Sequence, residues 1–375
     1  WRPLQRQGTS RRPLSAPLGG LSSLASLRCS AFAGLVAALL LVPLRAHADP
    51  ELTTTVFADT YYAHDFNDLP SKERPYTTQA YYNEEYTLNL GYVSADLKDE
   101  QWRARLSSQY GTSVIANYAS EPDEFWRYVQ EGFAGYHVSP RLWIDAGIYF
   151  SHIGSESWIS ARDINYTRSL IAENSPYYQS GVRATYEVSD TLVTQVHLLR
   201  GWQNISADES LSLGTQVKWG GDKGWQFTHN TFLGDIHGTR FFNDFILVYR
   251  SESGWHSSLT FDVGVQDQRQ YDRTAWWHGW SWLVQQPLSN DVRLGTRVER
   301  YADPHKVIIE AVNGKSVNFT GLSMNVDVDV TDWLLWRTEY KVLFDTEGVF
   351  PNAGGYRDYD QLLVGSLTVQ LDKWS

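Results

Sequence analysis

From about residue 51 to its end, the chain alternates apolar and polar side chains with a period of two, in runs of about ten positions. The clearest run is Leu142-Trp-Ile-Asp-Ala-Gly-Ile-Tyr-Phe-Ser151. One face reads Leu142, Ile144, Ala146, Ile148 and Phe150, and the other reads Trp143, Asp145, Gly147, Tyr149 and Ser151. Successive strand side chains point to opposite faces, so this pattern predicts a strand between an apolar and a polar medium. In the same way Leu322, Met324, Val326 and Val328 oppose Ser323, Asn325, Asp327 and Asp329. Sixteen such segments are predicted, near 51–63, 84–97, 101–116, 125–137, 141–153, 177–188, 191–202, 210–219, 224–236, 241–250, 254–266, 273–286, 291–303, 317–329, 333–345 and 359–372. No helix of ordinary length is predicted.

The connections differ by parity. Tight turns such as Val188-Ser-Asp-Thr-Leu192 and Leu288-Ser-Asn-Asp-Val292 follow even-numbered segments, with residues that bond their own backbone. Odd-numbered segments are followed by longer links, about 64–83, 154–176, 304–316 and 346–358. One short side and one long side is the habit of an outer-membrane barrel, with both termini on the short, periplasmic side. A sheet in lipid must close on itself, because every backbone amide needs a partner. Sixteen strands enclose a lumen too wide for side chains to fill, so the apolar face must turn outward and the polar face must line water. The fold class expected is all-β, a closed antiparallel transmembrane barrel of about 16 strands.

Composition refines this picture. Mean hydropathy is −0.39. The one long apolar run, 31–44, is too short for a membrane helix but fits a signal-peptide core, preceded by arginines and followed by Ala46-His-Ala48. Residues 1–48 are therefore read as a leader and 49–375 as the barrel. The single cysteine, Cys29, precedes the apolar run, so the mature part has no disulfide or thiolate metal site. With 32 basic and 43 acidic residues the net charge is −11, which disfavours nucleic acid as a partner. The 16 Trp and 22 Tyr suit membrane interfaces, where each ring has an apolar body and a polar handle. The chemistry of catalysis is poorly represented. Gly154-Ser-Glu-Ser157 lacks the Gly-x-Ser-x-Gly spacing of a nucleophile elbow, and the histidines show no metal spacing. No enzyme activity and no cofactor are expected.

Several stretches resemble the OmpL-like β-barrel porins. They are Phe57-Ala-Asp-Thr-Tyr-Tyr-Ala-His-Asp-Phe-Asn67, Arg105-Leu-Ser-Ser-Gln-Tyr-Gly-Thr112, Asn117-Tyr-Ala-Ser-Glu-Pro122, Leu142-Trp-Ile-Asp-Ala-Gly147 running into Ser151-His-Ile-Gly-Ser-Glu-Ser157, Tyr166-Thr-Arg-Ser-Leu170, Ala172-Glu-Asn-Ser-Pro-Tyr-Tyr178 and Gly201-Trp-Gln-Asn-Ile205. The similarity covers roughly 55–205. It implies a channel-like barrel in a bacterial outer membrane and brings no catalytic residues. One departure is the C-terminus, Leu371-Asp-Lys-Trp-Ser375, where Trp374 is out of phase with Leu367, Val369 and Leu371 unless a bulge intervenes.

The candidate functional residues follow from the polar faces. Arg103, Arg105, Asp145, Arg183, Arg293 and Arg297 are read as pore-lining, along with Lys218, Asp327, Asp329, Arg337, Glu339 and Lys341, on the argument that wall charges sort solutes. The link 154–176 mixes Glu156, Arg162, Asp163, Arg168 and Glu173 with Trp158, Ile159, Ile164, Leu170 and Ile171. It is read as a constriction loop carrying a short helix and folded into the barrel. The expected work is passive diffusion of small hydrophilic solutes or ions, with outer-membrane lipid around the barrel; whether it forms a homotrimer is left open. The alternatives are a plugged structural or enzymatic barrel, a soluble glycan-binding β-protein, and a saccharide-selective channel using Trp276-Trp-His-Gly-Trp-Ser-Trp282 as a stacking track.

Overall fold

In a computed structural model, residues 50–207 and 209–374 are described. Residues 1–49, with the expected leader and its expected cleavage site, lie outside them. The alternating segments become β1 (Glu51–Asp65), β2 (Thr87–Lys98), β3 (Trp102–Tyr110), β4 (Val129–Ser139), β5 (Leu142–Phe150), β6 (Tyr178–Ser189), β7 (Leu192–Arg200) and β8 (Leu211–Gly220). They continue as β9 (Gly224–Asp235), β10 (Thr239–Arg250), β11 (His256–Gln268), β12 (Arg273–Pro287), β13 (Val292–Asp303), β14 (Val317–Thr331) and β15 (Leu334–Phe344). A small hairpin, β16 (Phe350–Asn352) with β17 (Gly355–Arg357), precedes the last wall strand, β18 (Tyr359–Trp374). Each wall strand pairs with its chain neighbours, and β18 pairs antiparallel with β1, closing a barrel of sixteen strands. Closure removes the unpaired edge that lipid would not tolerate.

The barrel is inside-out in its chemistry. On β14, Leu322 and Met324 are about half exposed while Ser323, Asn325 and Asp327 are buried. The same split recurs on β8 and β9, where Leu213, Trp219, Trp225 and Leu233 face outward and Gln216 bonds Asn230 inside at 2.9 Å. The apolar outer face is matched to lipid, and the inner polar groups satisfy one another.

Two details differ from the sequence expectation, and the structure decides a third that it left open. The third segment was expected to run to 116, but β3 stops at Tyr110 and Thr112–Asn117 form a helical turn. Gly111 sits at φ +136°, and a Cβ there would lie 2.2 Å from the Asn89 carbonyl oxygen, so only glycine fits where the strand gives way to the helical turn. Not every odd-numbered link is long: β9 and β10 are joined by residues 236–238 alone. Pairing of β18 with β1 runs unbroken from Thr53↔Trp374 to Asp65↔Leu362, without a bulge.

Gly147 marks a close approach of β4 and β5. It takes φ +138°, and a Cβ would meet the Gly132 carbonyl oxygen at 2.2 Å and the Phe133 Cα at 2.7 Å. Both strain and overpacking follow from any side chain there. Gly147→Ala is expected to destabilise the barrel by about 1–3 kcal/mol, read as a lower urea midpoint in detergent. A midpoint equal to the parent's would show that β4 and β5 can separate to admit a methyl group.

Candidate constriction and lumen

The link between β5 and β6, residues 151–177, folds into the barrel and touches the wall nearly all the way round. Its Gly154 N–H donates to Asp244 Oδ2 on β10 at 2.7 Å. The Trp158 indole N–H donates to Gln109 Oε1 on β3 at 2.9 Å. Ser160 Oγ donates to Asp59 Oδ2 on β1 at 2.8 Å, and Asn165 Nδ2 to Ser323 Oγ on β14 at 2.9 Å. Thr167 N–H reaches Glu339 Oε2 on β15 at 2.6 Å, and Leu170 N–H reaches Glu299 Oε2 on β13 at 2.5 Å. All six acceptors lie on the inner face by strand register.

The loop can lie there because its sequence supplies both kinds of partner. Trp158, Ile159, Ile164, Leu170 and Ile171 are all buried. Ser169 caps the helical turn Leu170–Glu173 by accepting from Ala172 N–H. The wall answers with charges aimed at loop carbonyls. Arg337 donates to the Asp163 and Ile164 carbonyls at 2.8 and 3.1 Å and to that of Ser160, and it pairs with Asp327 at 2.7 Å. Arg297 donates to the Thr167 carbonyl at 2.5 Å and pairs with Glu299 and Glu339 at 3.0 and 3.3 Å. Buried charges persist only when paired and hydrogen-bonded in this way.

The expected pore-lining set divides. Arg103 on β3 and Arg183 on β6 converge on the buried Asp145 carboxylate at 2.6 and 2.7 Å. Arg103 also stacks on Trp143, 4.5 Å from the ring centre. Arg105 bridges Asp96 and Glu131, each at 2.6 Å. Arg293 bonds Asp329 and lies 3.8 Å from Asp327. These arginines face inward near the periplasmic turns and stay partly exposed, as Lys218 does. Arg297 does not: it is fully buried under the loop and meets no open lumen. Arg337, Glu339 and Lys341 are covered likewise.

The loop charges are corrected in the same sense. Glu156 accepts the Ser169 N–H at 2.9 Å, and Asp163 accepts the Ser157 N–H at 2.6 Å. Arg168 is buried against Tyr177 and Trp158, 3.9 and 4.9 Å from their ring centres, and lies 3.7 Å from Glu173. All three are engaged within the loop; Asp163 and Arg168 are buried, while Glu156 stays partly exposed. Arg162 alone of the four is exposed.

Burial and the nearby Glu156 charge push the Asp163 carboxyl well above the ordinary carboxylate range. In the folded loop it therefore holds a proton that a free chain, titrating near about 3.9, gives up. That stabilisation is full at acid pH and is lost as pH rises through the raised value. Single-channel current should be quieter at about pH 4 than at about pH 8. The reverse order would show that this carboxyl does not secure the loop.

Two features escape the sequence pattern. The link 66–86 also enters the outer end of the barrel. Its Arg74 pairs with Asp65 and Asp360 at 3.0 and 3.2 Å, while the Tyr76 hydroxyl donates to the Val349 carbonyl and accepts from Val312 N–H, both at 3.0 Å. Tyr76 joins Leu170, Ile171, Ile309, Phe319 and Phe350 in an apolar cluster across the outer half. The tryptophan run is the second feature. Trp276 and Trp282 are exposed on the outer face and Trp280 shares it by register, while Trp277 points inward and is buried in the same cluster. A continuous stacking track inside the barrel is therefore absent.

Comparison with solved structures finds the same fold at low sequence identity. OmpT of Vibrio cholerae in its trimer form, an outer-membrane protein, aligns at TM-score 0.58 and 10% identity over 86% of this chain and 100% of that one. An anion-selective porin from Comamonas acidovorans aligns at 0.55 and 8% over 86% and 100%. The outer-membrane channel DcaP of Acinetobacter baumannii aligns at 0.53 and 11% over 86% and 98%. Comparison with curated proteins finds no match. The family model described as Putative beta-barrel porin-2, OmpL-like, matches residues 51–371, so the chain belongs to that family and is a porin-like channel of the bacterial outer membrane.

Proposed function

We propose that the barrel passes small hydrophilic solutes by passive diffusion and that the loop 151–177 sets the width of the passage. The observation carrying this reading is the hydrogen bonding of that loop to inner-face residues of six wall strands. The remaining passage runs past Arg103, Arg105, Arg183 and Arg293, with the partly exposed Asp96 and Asp329 beside them, so both signs of charge meet the water. That mixture favours small polar solutes over one sign of ion. We read the barrel as having no catalytic role. In support, Ser155 Oγ is engaged with Thr260 Oγ1 at 2.8 Å and Ser157 Oγ accepts the Ile159 N–H at 3.0 Å. We also read residues 1–48 as the export leader.

A homotrimer fits the outer face. Ala104, Ala134 and Ala146 are direct cross-strand neighbours on β3, β4 and β5, a low surface where another barrel can approach closely. The likeness to a trimer-form outer-membrane protein supports this reading.

Swelling of liposomes that contain refolded residues 49–375 tests the proposal. Swelling should be fast in pentose, slower in disaccharide and absent in large oligosaccharide. A folded, inserted protein that admits none of them would overturn it, and selective uptake of oligosaccharide would favour the saccharide channel.

A further inference from the structure

Arg240 is the second residue of β10, at the outer end of the wall. Its register with Gly234 and Gln266 turns the side chain inward, and it is 5% exposed. Its Nε–H donates to Gln266 Oε1 at 2.7 Å. Gln266 is itself fixed, since its Nε2 donates to the Ile236 carbonyl at 3.0 Å. The guanidinium lies beside two indoles, 4.9 Å from the Trp202 ring centre and 5.4 Å from that of Trp277.

The two terminal nitrogens are the unusual part. The other buried inward arginines, Arg74, Arg297 and Arg337, each pair with a carboxylate within 4 Å. Arg240 has no such ion pair and no acceptor for its terminal nitrogens among the described residues. Glu209 and Asp303 add negative field from beyond ion-pair distance, and Asp303 is already bound by the N–H groups of Val307, Ile308 and Ile309. A buried charge favours a counter-ion. With Nε occupied, the free end is the planar two-nitrogen fork that matches a carboxylate. The two rings flank that fork. The neighbouring link, 236–238, is short, so the wall is low where the fork sits.

We propose that Arg240, oriented by Gln266 and flanked by Trp202 and Trp277, is a binding subsite for small organic carboxylates at the outer mouth. The inward direction excludes a lipid headgroup as the ligand. The inference rests on the channel reading, because the carboxylate must reach the lumen. Its test does not depend on conductance.

Tryptophan fluorescence of refolded residues 49–375 would be titrated with sodium butyrate, and with butyramide, at constant ionic strength. Butyrate should give a saturable change that butyramide does not. Arg240→Gln should weaken butyrate binding at least about tenfold, as expected for loss of a charge-assisted pair. Equal responses to both compounds, a response that never saturates, or unchanged affinity in the variant would overturn the proposal. Should Arg240→Gln fail to fold, Arg240→Lys decides. That variant keeps the charge and loses the fork, so weaker butyrate binding supports the subsite and unchanged binding refutes it. A barrel that binds butyrate yet passes no solute would retire the diffusion reading and leave the subsite standing.

Discussion

Excision of residues 158–170 raises single-channel conductance several-fold. The excised piece carries the contacts to β1, β3, β13, β14 and β15 and the side chains that fill the lumen, Trp158, Ile159 and Ile164. Barrel closure does not depend on it, because every wall strand is paired by its neighbours. What the excision uncovers is a belt of charge, Arg297, Glu299, Arg337 and Glu339, which water would then solvate. A wider, wetter passage follows. If the shortened barrel folds and conducts as the parent does, the loop is not the narrow point.

The second large effect is expected at one residue. Arg337→Met removes the donor to three loop carbonyls and the partner of buried Asp327. Removing one member of a buried pair typically costs about 3–5 kcal/mol, because the other charge is left uncompensated. Asn325 Nδ2 at 2.6 Å and Arg293 at 3.8 Å still face Asp327, which places the expected loss at the lower end of that range. The lost stability should appear as a lower urea midpoint. The freed loop should add brief current fluctuations to the open level. A variant as stable and as quiet as the parent would mean that the loop is anchored elsewhere. Arg293→Met, at a partly exposed pair, should cost far less, since exposed ion pairs contribute little.

The strands were legible because the medium changes at every residue. A wall one side chain thick between lipid and water leaves period-two alternation with no other reading, and β6 and β13 fall within one residue of their expected ends. Gly111 was less legible. The β-branched Thr112 and Val114 extend the strand pattern, and the positive-φ backbone at which Gly111 turns the chain shows only in three dimensions. Parity also told which face a charge takes, but not what lies over it. Arg293 and Arg297 are four residues apart on the same face of β13. One borders the open periplasmic end and the other lies fully buried beneath Thr167. The covering segment comes from a link more than a hundred residues away, which no local pattern reveals. Separation along the chain also hid Arg240, whose neighbours Trp202, Gln266 and Trp277 come from other elements.

The account turns on the loop residing inside a conducting barrel. Its most direct test pairs cysteines at Asn165 and Ser323, whose side chains meet at 2.9 Å. Residues 49–375 contain no cysteine of their own, since the chain's single one is Cys29. Single channels of Asn165→Cys/Ser323→Cys would be recorded after oxidation and again after reduction. The account predicts that the disulfide forms in the folded, inserted protein and that discrete open levels have the same size in both states. A folded barrel whose cysteines fail to cross-link, or whose current falls when they do, would place the loop outside the lumen in the conducting state.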